Sequence, residues 1–115
     1  MIVIYDGKEY RIRTEDSQLV RDIEKNLPLQ LQMRKNGEAE YTGILPFHPV
    51  NDARPVTKTV PNAVYYFEDW NVLCLNIEAN TIAPWHVNFI GMTEGDGFAE
   101  LLGKTKGEII VTVKK

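Results

Sequence analysis

The chain has 115 residues, a single cysteine and a net charge of −3. A folded monomer of this size exposes about 6,400 Å², against about 19,000 Å² unfolded, so it builds a core without disulfide or metal staples. With 43% hydrophobic and 25% charged residues, acidic and basic interspersed, it is no disordered chain. The same balance weighs against nucleic acid or an anionic membrane as partner. One folded domain, 1–115, is expected.

Ile2-Val3-Ile4, then Asp6-Gly7, then Lys8 to Arg13 reads as a β-hairpin, because Asp-Gly tolerates the positive φ of a tight turn. Met1 to Asp6 has no basic start, and no stretch reaches membrane-spanning length. A cytoplasmic location is therefore expected. Thr14 to Ser17 supplies a helix start, with Asp16 or Ser17 able to cap free N–H groups. Leu19, Val20, Ile23 and Leu27 recur on one helical face, opposite Gln18, Arg21, Asp22, Glu24 and Lys25. This spacing predicts a helix from Ser17 to Asn26, ended before Pro28.

The period then becomes two. Leu29, Leu31 and Met33 alternate with Gln30, Gln32 and Arg34, the signature of a half-buried strand. Asn36-Gly37 turns it into a partner running from Glu38 to Leu45. Pro46 to Pro61 reads as a long loop, a connection over a barrel end or a partner-facing segment. Val64-Tyr65-Tyr66-Phe67 reads as a strand, Glu68 to Asn71 as its turn, and Val72 to Ile77 as the return. Trp85 to Met92 reads as another strand. Gly95-Asp96-Gly97 breaks the chain before a short helix, Phe98 to Leu102, closed by Gly103. Glu108 to Val113 is the final strand. Short strands with turns between them indicate a closed or nearly closed barrel.

Standard catalytic motifs are absent. There is no phosphate loop, no dinucleotide fingerprint and no serine elbow, and the one serine, Ser17, serves as a cap. His48 and His86 lie far apart without regular ligand spacing, so neither a metal nor a cofactor is expected. Cys74, in the apolar run Val72–Leu75, reads as a buried thiol. The aromatics carry the functional signal. Tyr65, Tyr66, Phe67 and Trp70 fall within six residues, and Trp85 follows on a later segment. They serve either as core or as an apolar rim pocket with polar groups such as His86, Asn88 and Arg54. The candidate ligand-binding residues are Tyr66, Trp70, Trp85, His86, Arg54 and Phe47.

The succession of features resembles the small bacterial cyclophilin-like proteins. It runs from Leu27-Pro28-Leu29-Gln30-Leu31-Gln32-Met33 through Tyr41-Thr42-Gly43-Ile44-Leu45-Pro46 to the aromatic strand Val64–Phe67. Trp70, Val72–Leu75 and Val87-Asn88-Phe89-Ile90-Gly91-Met92 follow, and the helix at Phe98–Leu102 and the strand Glu108–Val113 complete it. Pro61-Asn62 stands where that family often has a Gly-Asp turn. The resemblance implies a mainly β fold: a closed antiparallel barrel of about eight strands with two short helices. It does not imply prolyl isomerisation. Classical cyclophilins carry Phe-His-Arg and a Gln-Gly-Gly-Asp stretch; here Phe47-His48 runs into Pro49, and the second stretch is missing. The expectation is a non-catalytic module binding a small molecule or peptide. The alternative is a divergent peptidyl-prolyl isomerase using Arg54 or Arg34. A partner-binding relative of the cyclophilin-like domains of urea-amidolyase-type enzymes is a third reading.

Overall fold

The computed structural model describes residues Met1–Lys115. Its accessible surface is 6364 Å², the value expected for a compact monomer. The major strands, in chain order, are β1 (Ile2–Tyr5), β2 (Lys8–Thr14), β3 (Leu29–Asn36) and β4 (Glu40–Ile44). Two-residue strands β5 (Pro55–Val56) and β6 (Lys58–Thr59) come next, then β7 (Ala63–Phe67) and β8 (Val72–Asn76). The short β9 (Asn80–Thr81), then β10 (Val87–Thr93) and β11 (Ile109–Lys114) complete the set. Helix α1 (Gln18–Lys25) follows β2, and α2 (Gly97–Lys104) follows β10.

The strands pair antiparallel in the order β2-β1-β11-β3-β4-β8-β7-β10, and β10 returns to β2. That contact makes a closed eight-stranded barrel with no free edge between its members. β5 adds onto the start of β10, while β6 and β9 form a separate two-stranded ribbon. A bulge between Phe89 and Gly91 bends β10 where it changes partner.

The alternation of β3 holds: Leu31 and Met33 are buried, and Gln30, Gln32 and Arg34 face water. Inside the barrel they meet Val3, Ile12, Tyr41, Tyr66, Leu73, Leu75, Val111 and Val113. Leu19, Val20 and Ile23 of α1 and Phe98 and Leu102 of α2 close the same core. Ser17 caps α1 by accepting from the Val20 N–H at 3.1 Å, as its hydroxyl and position require.

Four expectations need correction. The Pro46–Pro61 segment is not all loop, since β5 and β6 lie in it; two-residue strands leave no periodic signal. It is also tied to α1. Asp52 accepts from the Gln18 and Leu19 N–H groups at 3.2 and 3.1 Å, and Asp22 accepts from the Val50 N–H at 2.8 Å. Gly103 does not stop α2, which continues to Lys104 and ends at the extended Thr105. A glycine inside a helix costs about 1 kcal/mol and need not end it. Trp85 and His86 precede β10, because its ladder starts where Val87 pairs with Val56. Gln18, Asp22 and Glu24 are half-buried, where the helical pattern turned that face to water.

Candidate functional site

The barrel has a second apolar layer on its outside. Ala63, Tyr65, Val72, Cys74 and Val87 are buried there, under Val56, Phe67, Ile82, Phe89 and Met92. The segments carrying β5–β6 and β9 supply Val56 and Ile82 to this cover. Where the cover stops, a cavity of about 250 Å³ opens on the outer face. Its apolar wall is Phe67, Trp70, Ile82, Trp85 and Val87, and its polar groups include Asn36, Glu40 and Asn76. Both indoles remain more than half exposed, Trp70 at 56% and Trp85 at 61%.

Trp70 is placed by a tight local structure. Glu68–Trp70 form one 3-10 turn, and Asn71 closes it in the left-handed region at φ 53°. Asn71 anchors the turn with its side chain. Its Oδ1 accepts from the Tyr66 hydroxyl at 2.5 Å, and its Nδ2 donates to the Leu45 and Phe47 carbonyls at 3.1 and 2.8 Å. The Phe67 ring meets Trp70 edge to face, with centroids 5.2 Å apart. Trp85 follows Pro84, whose peptide bond with Ala83 is cis.

Glu40 sits opposite Asn76 in the β4–β8 ladder, so its side chain shares the outer face. It is half-buried and makes no ion pair; the Asn36 amide donates to it at 3.2 Å. Burial pushes its carboxyl above the ordinary value of 4.5, and the Asn36 bond opposes part of that rise. The folded protein therefore holds this proton more tightly than the unfolded chain. Stability falls as pH rises from the ordinary carboxylate range through the raised pKa, and the full penalty remains above it. Glu40→Gln should melt higher than the wild type near neutral pH. The two should converge below pH 4.5. Urea melts across that range check it, and a variant less stable at neutral pH would show a favourable carboxylate.

Of the six residues expected at the pocket, the structure brings Trp70 and Trp85 into it. His86 lines an adjoining cavity with Phe67, Glu68, Asp69, Pro84 and Trp85. Tyr66 is elsewhere: it is 1% exposed, inside the barrel. The alternation along β7 turns Phe67, not Tyr66, to the outer face. Phe47 packs half-buried against the interior core, and its carbonyl, not its ring, is tied to the turn. Arg54 does not line the cavity either. Its guanidinium lies over the Phe89 ring, 4.9 Å from the centroid, and bonds the Glu15 carboxylate at 3.3 Å. Asn88 is buried and donates to the Ala53 carbonyl at 2.7 Å, which makes it a loop anchor. Phe67 belongs to the aromatic group the sequence singles out but not to the six candidates, and Glu40 belongs to neither. A lone Glu at an outward strand position looks like solvated surface until other segments cover it.

Cys74 is buried and free, and burial raises its thiol well above the ordinary range, so it stays protonated. No group of three or more His, Cys, Asp and Glu side chains comes together as a metal cage. No helix is long and apolar enough to cross a membrane.

The Cyclophilin-like family profile matches residues 3–114. The chain belongs to this family. Among solved structures, the chain is similar to the hypothetical protein AF2241 from Archaeoglobus fulgidus, known from its solution structure. It is 17% identical, with a TM-score of 0.71, covering 98% of this chain and 91% of that one. At that identity the likeness is one of fold. No curated protein matches the sequence. Within the cyclophilin-like barrel the aromatic cavity lies outside the strands, and the interior is filled by side chains.

Proposed function

We propose that this cyclophilin-like barrel is a non-catalytic module that binds a small molecule or a peptide segment in the outer cavity. One observation carries the reading: two largely exposed indoles, Trp70 and Trp85, share one cavity with Phe67. Exposed apolar rings gathered in a concave site with a few polar groups are the usual form of a ligand pocket.

The isomerase reading has less support. Catalysis of prolyl rotation requires binding the twisted imide more tightly than either planar isomer. A fixed cation in a dry aromatic slot would do so. Arg54 is held by Glu15, away from the cavity. Arg34 lines a separate open groove on the other side of Trp70, 79% exposed and paired with Glu108 at 2.9 Å. Pro49 follows Phe47-His48 where classical members have arginine.

An exchange assay on X-Pro peptides, read by NMR together with the two indole N–H signals, tests the proposal. The expected result is a ligand from a panel of small molecules and peptides that shifts Trp70 or Trp85, with no faster isomerisation. Robust turnover that collapses in Arg34→Ala or Arg54→Ala would overturn it.

A further inference from the structure

The charge lining the cavity is one-sided; basic side chains stand in neighbouring grooves, Arg34 beyond Trp70 and Lys58 beyond Thr59 and Asn80. No lysine or arginine lines the cavity itself, and none lines the adjoining cavity that shares Phe67 and Trp85. Three carboxylates do: Glu40 in the first, Glu68 and Asp69 in the second. None of the three belongs to an ion pair. Glu40 takes only the neutral Asn36 amide, and Glu68 the neutral Asn51 amide at 3.1 Å. Glu68 and Asp69 are exposed, and Glu40 is half-buried; a carboxylate buried to that degree is ordinarily matched by a cation, since burial penalises the unpaired charge.

The walls favour the same sign. An aromatic face is negative, and indole is the strongest cation–π partner among side chains. Phe67, Ile82 and Val87 line the cavity beside the indoles, so the surface also rewards apolar contact. A bare metal ion or a fully hydrated ammonium would gain little from such walls. A cation carrying alkyl groups gains from both the walls and the charge. The volume, about 250 Å³, falls just below the range of roughly 300–1,000 Å³ usual for whole drug-sized ligands. It suits a head group.

We propose that the cavity takes an alkylated ammonium head group, flanked by Trp70 and Trp85 with Glu40 as its counter-charge. This rests on the binding-module reading and adds the ligand's charge class. The head group belongs either to a small free amine or to a methylated lysine side chain of a peptide.

Choline is the first probe, and dimethylbutanol, its uncharged carbon isostere, is the control. Titrations at constant ionic strength are read from the indole N–H signals of the chain's two tryptophans. Choline should bind and shift both signals, and the isostere should bind at least about fivefold more weakly. Glu40→Gln should weaken choline about tenfold and leave the isostere within about twofold. Trp85→Ala should weaken both. Melts establish that each variant is folded. A peptide with trimethyllysine, against its norleucine counterpart, identifies the source: tighter binding than choline points to a peptide, weaker to a free amine. Equal binding of choline and isostere, or choline binding indifferent to Glu40→Gln, overturns the charge inference and leaves a neutral-ligand module. Absence of any shift with choline and the trimethyllysine peptide also overturns it, while the wider panel still decides whether the cavity binds anything.

Discussion

Gly91→Ala should break the barrel at its seam. Gly91 lies opposite Thr14 in the β10–β2 ladder, the pairing that closes the sheet. A Cβ there would sit 2.4 Å from the Arg13 carbonyl oxygen and 2.9 Å from the Thr14 Cα. Both are backbone atoms, so no rotamer change relieves the clash, and β10 must move away from β2. Overpacking that side chains can absorb costs about 1–3 kcal/mol. Here the ladder itself is displaced, and we expect a loss of about 3 kcal/mol or more. Gly97→Ala is the control. Nothing lies within 4 Å of its Cβ position, and its φ is not positive. As the first residue of α2 it should gain stability, by up to about 1 kcal/mol. Urea melts of the two variants give the comparison. Similar midpoints would mean that β10 and β2 do not close the sheet as described.

Asn71→Ala should be at least as damaging and should also disturb the cavity. The substitution removes the acceptor of the buried Tyr66 hydroxyl and the donor to the Leu45 and Phe47 carbonyls. Each buried polar group left without a partner costs about 1–3 kcal/mol. Alanine must also hold φ 53°, which adds about 1 kcal/mol. Two of these groups are fully buried, and the Phe47 carbonyl is only partly so and can turn to water; a total of about 3–7 kcal/mol is expected from these terms. Asn71→Gly keeps the left-handed turn but loses the same bonds, so it should recover about 1 kcal/mol of that loss. Denaturant melts measure both, and the Trp70 indole signal reports whether the turn has shifted. An alanine variant as stable as the wild type would mean that the Asn71 side chain does not hold the turn.

Much of the fold was legible because its cause is local. Ser17 ahead of a helical stripe gave the start of α1, and Leu29-Leu31-Met33 against Gln30-Gln32-Arg34 gave β3 with its inward face. Asp6-Gly7 and Asn36-Gly37 marked turns in which Asp6, Gly7 and Gly37 do take positive φ. The candidate site was legible only in part. Trp70 and Trp85 stood out as large aromatics near turns, where exposure is common. Tyr66 was misplaced, Glu40 was passed over, Phe67 was noted among the aromatics but not as a candidate, and Arg54 and Phe47 were assigned to a pocket they do not line.

The sequence by itself determined the kinds and order of the eight barrel strands and two helices, though not the two-residue strands β5, β6 and β9. It also determined the succession that marks the family and the presence of unusual aromatics around a turn. Those features rest on backbone preferences and on patterns within a few residues. Only the tertiary structure decided where the cavity lies. Period-two alternation separates Tyr66 from Phe67 but does not say which of them points inward when both faces of the strand are apolar. Residues Ala63–Tyr66 of β7 and all of β8 are buried. Their faces become distinct only when β10 meets β2 to enclose one of them and the segments carrying β5, β6 and β9 cover part of the other. The gap in that cover is where Trp70, Trp85 and Glu40 meet.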